Sequence, residues 1–125
     1  MINKAKIMFK LWSPVFGWCT LIFYFSGIPN LNSGLGVWDI VLRKCAHMTE
    51  YFILAFLFYR ALKGTFILSF KTLIFITAAL SLLYAVSDEV HQLFIVSRSG
   101  NIRDILIDFT GIIIFCLCQK YIKSK

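Results

Sequence analysis

The chain has 125 residues, 59% hydrophobic and 15% charged, with a mean hydropathy of +0.79. An ordinary soluble domain is about 45–50% apolar and about 25% charged, so this composition excludes one and predicts a single integral membrane domain over 1–125. The formal net charge of +7 does not point to nucleic acid, because the bases gather at both termini and between two apolar runs, where they would flank spans and meet anionic lipid.

The first apolar segment covers about 9–28, enough for a hydrocarbon core that takes about 20 helical residues. Pro14 falls in its first turns, where proline costs least, and Trp12 and Trp18 suit an interfacial belt. The uncharged run 11–38 is long for a signal sequence, and no small-x-small cleavage site stands near Ser26-Gly27, so an uncleaved span is expected. Pro29-Asn30-Leu31-Asn32-Ser33-Gly34 is turn chemistry.

A second segment, about 43–62, is apolar apart from Lys44, His47 and Glu50, and ends at Lys63-Gly64. The third, about 71–92, is uncharged until Asp88, and the turn Ser97-Arg98-Ser99-Gly100-Asn101 follows. The fourth, about 102–119, carries Asp104 and Asp108 in its first two turns. The expected fold is therefore all-α, with four transmembrane helices in a compact bundle. Cys19, Cys45, Cys116 and Cys118 show no metal spacing and read as small apolar residues; a Cys116/Cys118 redox pair is the alternative.

Loop charge orients the chain. Nine Lys and Arg lie at the termini and in the 60–71 connection, against Arg43, Lys44, Arg98 and Arg103 on the other side. The positive-inside rule then places both termini in the cytoplasm of a multi-pass protein of the cell membrane. All six acids fall in two polar clusters, and this topology brings both to the outer leaflet. Lys44, His47 and Tyr51 are spaced i, i+3, i+7; Asp88, His91 and Gln92 i, i+3, i+4; Asp104, Asp108 and Gly111 i, i+4, i+7. Each set makes one helix stripe, and polar stripes turn inward away from lipid. Gly111 would let a neighbouring helix come close. Lys44, Arg98 and Arg103 can serve as structural counter-ions for Asp88, Asp104 and Asp108. Packing alone does not call for two histidines, several acids, a glutamine and three bases at one depth.

These residues resemble the VanZ-like family of small bacterial membrane proteins, named for a protein that confers teicoplanin resistance. The resemblance covers nearly the whole chain: Ile22-Phe23-Tyr24-Phe25-Ser26-Gly27-Ile28-Pro29, then 43–54 beginning Arg43-Lys44-Cys45-Ala46-His47 and including Glu50-Tyr51, then Tyr84-Ala85-Val86-Ser87-Asp88-Glu89-Val90-His91-Gln92, then Arg98 to Asp104 with Asp108 and Gly111. Val96-Ser97 stands where the family often has Pro-Gly, and Met48 where it often has Phe. The resemblance implies a polytopic membrane protein, often linked with lipoglycopeptide resistance, and no agreed reaction.

The residues themselves suggest a site for an anionic head group, of a phospholipid or a polyprenyl-phosphate-linked cell-wall precursor. Lys44, Arg98 and Arg103 supply positive charge beside two outward helix N-termini, and Glu50, Tyr51, Gln92 and Asp104 complete the binding set. His47, Asp88, Glu89, His91 and Asp108 are the candidates for acid–base work. A metal is the alternative cofactor, with His47, Glu50, Asp88, His91, Asp104 and Asp108 as suitable ligand types. A non-catalytic lipid or precursor binder and an ion- or proton-exchanging protein are the competing readings.

Overall fold

The structure, a computed structural model, describes residues 3–27, 36–95 and 102–125, and over them it consists of four helices: α1 (Lys4–Ser26), α2 (Val37–Thr65), α3 (Phe70–Gln92) and α4 (Ile102–Ser124). The turns expected at 29–34 and 97–101 lie outside the described residues.

Local chemistry sets the starts. The Asn3 side chain accepts the Ala5 N–H at 3.1 Å and caps α1. The helix therefore begins before residue 9, and Pro14 lies in its interior rather than in its first turns. The missing proline N–H would have served the carbonyl of Lys10, which sits on an exposed turn, so the loss is tolerable there. Helix α2 begins at Val37, six residues earlier than the apolar pattern alone indicates. Gly36 precedes it with φ of 65°, a value glycine adopts without steric cost. Asp39 in its first turn opposes the helix dipole and pairs with Arg43 at 2.7 Å. Ser69 caps α3 by accepting the Thr72 N–H at 3.2 Å.

Helices α1, α3 and α4 are each long and apolar enough to cross a membrane. Helix α2 is the longest, at 29 residues, but carries Asp39, Arg43, Lys44, Glu50, Arg60 and Lys63. Large apolar side chains point outward on every helix, among them Phe16, Phe56, Phe75 and Leu117. Such a surface would be a liability in water and is ordinary in lipid.

Side-chain pairings give the direction of each helix. Trp12 Nε1 donates to Thr65 Oγ1, and Trp18 Nε1 to the Glu50 carbonyl, both at 2.9 Å, so α1 and α2 run antiparallel. Trp12 and Trp18 thus tie α1 to α2, because an indole N–H shielded from water needs an acceptor. The Tyr84 hydroxyl donates to the Cys19 carbonyl and Gln92 Nε2 to Ser26 Oγ, which makes α1 and α3 parallel. Phe115 of α4 stacks edge-on against Phe52, Phe56 and Tyr59. Helix α2 touches all three other helices, most extensively α4. The core around it holds Ile22, Tyr51, Leu54, Ala55, Ala85, Ile112 and Phe115.

This up-and-down order gathers the end of α1, the start of α2, the end of α3 and the start of α4 at one end of the bundle. Every acid lies toward that end. The other end carries the lysines of the two termini, with Arg60, Lys63 and Lys71.

Candidate functional site

Close helix approach builds the acidic end. On α3, Thr77, Ser81 and Ala85 recur every fourth residue and are fully buried, a small-residue face against which neighbours pack tightly. The same helix then buries Asp88, Glu89 and Gln92. On α4, Gly111 is buried directly against the α2 backbone at Met48: a Cβ there would meet the Met48 carbonyl oxygen and come within 3.0 Å of its carbonyl carbon.

That approach sets Asp108, one turn before Gly111, beside His47, the neighbour of Met48. His47 Nδ1 lies 3.2 Å from Asp108 Oδ1 and 4.0 Å from Glu50 Oε2. Asp108 is fully buried, while the His47 side chain keeps 17% of its surface accessible. The contact is a close carboxylate-to-imidazole pairing. An isolated carboxylate shielded from water is costly, and His47 is the partner that offsets this. With Nδ1 turned to the carboxylates, Nε2 is the ring nitrogen left for other chemistry.

In front of His47 lies a cavity of about 60 Å³, lined by Ile22, Phe25 and Ser26 of α1, Arg43, Ala46, His47 and Glu50 of α2, and Asp88 of α3. It has room for a few waters or one small polar group, not a whole lipid head. One wall is apolar. The other brings a guanidinium, an imidazole, a hydroxyl and two carboxylates together. The clusters around His47 and Asp88, 41 residues apart in sequence, therefore share one cavity. Ser26 is fixed by the Gln92 amide at 2.8 Å, so Gln92 holds the wall rather than facing the cavity.

Other expected residues are placed differently. Lys44 is exposed and lines no part of this cavity; Arg43, one position earlier, does. His47 belongs to two possible stripes, with Lys44 and Tyr51 or with Arg43 and Glu50, and the cavity uses the second. Tyr51 is fully buried in the core, its ring centroid 6.4 Å from that of Tyr84. His91 lines no part of this cavity and stacks on Phe23 of α1, with centroids 4.1 Å apart. Asp88 and His91 are three positions apart, but α1 wedges against the His91 side of α3. Glu89 is buried near Asp88 and Asp104 is half-buried in the first turn of α4, whereas Arg103 is exposed. Arg98 lies outside the described residues.

Among the described residues no three His, Cys, Asp or Glu side chains are grouped to hold a metal ion. The metal set drawn from His47, Glu50, Asp88, His91, Asp104 and Asp108 is thus not assembled, His91 being on another face. All four cysteines are free, Cys116 and Cys118 included.

Ser26 and Arg43 are the two polar cavity residues absent from the site expected from the sequence. The spacing Arg43, His47, Glu50 at i, i+4, i+7 was a usable signal for the second. Ser26 lies within the first string of the family resemblance, and nothing in its own context marks it as polar lining.

An apolar helical bundle with polar groups from three helices meeting in one terminal cavity defines a membrane-type protein with a built polar site. Residues 4–123 match the VanZ/LLP1 family, and the chain belongs to that family. No curated protein and no solved structure matches it.

Proposed function

We propose that this VanZ/LLP1 protein crosses the cell membrane four times with both termini in the cytoplasm, and that its polar cavity, at the outer leaflet, binds or acts on the phosphate of an anionic envelope lipid or lipid-linked cell-wall precursor. The four-span count is supported by an up-and-down bundle in which α2 packs against three apolar helices. The orientation is supported by nine bases against four. A link with lipoglycopeptide resistance, teicoplanin above all, is part of the same proposal and rests on the family.

The observation that carries the reading is the joint lining of one small cavity by Arg43, His47 and Asp88 beside the buried His47–Asp108 pair. Arg43 is the group suited to a phosphate oxygen. Asp108 and Glu50 orient the His47 ring, as a carboxylate orients a general base. The size of the cavity admits a phosphate edge or a water and leaves the polyprenyl or acyl chain on the lipid-facing surface. Asp88 in the cavity lining, with Glu89 and Asp104 at the same end of the bundle, supplies the acidic surroundings.

The test uses purified full-length protein equilibrated with a polyprenyl phosphate or with the matching uncharged polyprenol, washed, and assayed by mass spectrometry. Selective retention of the phosphate supports the proposal, and equal retention of the two lipids contradicts it. Release of inorganic phosphate over time would mark an enzyme; retention without turnover would mark a binder.

A further inference from the structure

The basic end of the bundle presents a second, unrelated feature. A groove of about 760 Å³ runs between α3 and α4. Its floor and walls are apolar, with Phe75, Ala78, Ile113 and Leu117 among them, and Phe75 and Leu117 are largely exposed. Its mouth is lined by three lysines, Lys71 from the first turn of α3 and Lys120 and Lys123 from the last turns of α4. Lys123 Nζ sits 4.2 Å from the centroid of the Phe70 ring, which fixes it across the mouth. A smaller cavity shares Phe70 and Lys123 and adds Lys63.

Two observations say what this groove accepts. Among the described residues no lysine pairs with an acid, and every acid lies at the opposite end of the molecule. The lysines at the mouth therefore lack a protein counter-charge. The groove's lining runs about 21 Å along α4, from Lys123 to Phe109, and about 12 Å along α3, from Phe70 to Ala78, at about 1.5 Å per residue, comparable with half of a hydrocarbon core about 30 Å thick. An apolar channel as deep as one leaflet, with cations at its mouth, is complementary to one amphiphile: a phospholipid with an anionic head and its chain along the helices.

We infer that the α3–α4 groove is a binding site for an anionic phospholipid of the leaflet at the basic end, with Lys71, Lys120 and Lys123 on the phosphate and an acyl chain over Ala78 and Ile113. The site is separate from the polar cavity and does not depend on its function.

The experiment is native mass spectrometry of the full chain, released from detergent containing equal amounts of phosphatidylglycerol and phosphatidylcholine with identical acyl chains. Wild-type protein retains phosphatidylglycerol at least fivefold over phosphatidylcholine. Lys71→Gln/Lys120→Gln/Lys123→Gln brings the ratio near one, whereas Lys4→Gln/Lys6→Gln/Lys10→Gln, which removes the same charge from the same end but off the groove, preserves it. Ala78→Trp, which obstructs the groove, lowers phosphatidylglycerol retention at least threefold. If Ala78→Trp fails to fold, the lysine variants decide, since all six side chains are exposed. The inference is overturned if the groove variant keeps the preference, if the amino-terminal variant loses it equally, or if the groove is covered by a second copy in a lipid-free dimer.

Discussion

His47 Nδ1 stands 3.2 Å from Asp108 Oδ1 across the contact of two parallel helices, and the carboxylate has no exposed surface. A charge placed so deep needs its partner, and the partner, partly accessible, lines a polar cavity that three helices share. Structure and candidate chemistry therefore meet in a single pair, and removing either member leaves the other stranded in apolar surroundings.

Asp108 and Asp104 differ in consequence. Asp108→Ala inserts in the membrane but loses polyprenyl phosphate retention, because His47 is no longer oriented. Asp108→Asn, which keeps an acceptor toward His47, is milder. Asp104→Asn, in the half-buried first turn of α4, lowers stability by about 1 kcal/mol through the helix end and changes retention little. Retention assays with thermal melts on the three variants check this; full retention in Asp108→Ala would remove that residue from the site.

Gly111 has no room to change. Gly111→Ala drives a methyl into the Met48 backbone, so α4 must move off α2, at a cost of about 1–3 kcal/mol typical of overpacking. Gly17→Ala, with no atom within 4 Å of the added carbon, leaves the melting temperature unchanged or slightly higher. Melting curves of the two variants in the same detergent make the comparison.

Arg43 and Lys44 separate by face. Arg43→Gln reduces affinity for the polyprenyl phosphate about tenfold, in line with loss of a charge-assisted contact of about 1.5–3 kcal/mol. Lys44→Gln, on the exposed side, stays within about twofold. Titration of bound lipid against concentration reads both, and the reverse ranking would return the site to the stripe that contains Lys44.

Orientation is tested independently. Reporter fusions after residues 32 and 100 read as external, and one after residue 66 as cytoplasmic. The opposite pattern would move the polar cavity to the inner leaflet and exclude an outer-leaflet substrate.

The helices were legible because apolar runs punctuated by Pro29-Asn30 and Ser99-Gly100-Asn101 leave few other readings. The early start of α2 was not, since 37–42 is a short run ahead of a charged turn and its helicity depends on Gly36 and Asp39 together. The convergence of the His47 and Asp88 clusters was legible from topology alone. Which side of His47 faces inward was not, because stripes through Lys44 and through Arg43 differ by one position, and α1, not any property of α2, decides between them. His91 misled for the same reason: its spacing from Asp88 is right for one face, but the Phe23 ring captures it.

The central claim is that the cavity in front of His47 receives the phosphate of an envelope lipid, and side-selective histidine modification tests it most directly. Full-length protein is treated with diethyl pyrocarbonate with and without polyprenyl phosphate, and adducts on the two histidines are counted by mass spectrometry. The account predicts that the lipid slows modification of His47 several-fold and leaves His91, stacked on Phe23 outside the cavity, unchanged. Equal rates at His47 with and without the lipid, or equal protection of both rings, would contradict it.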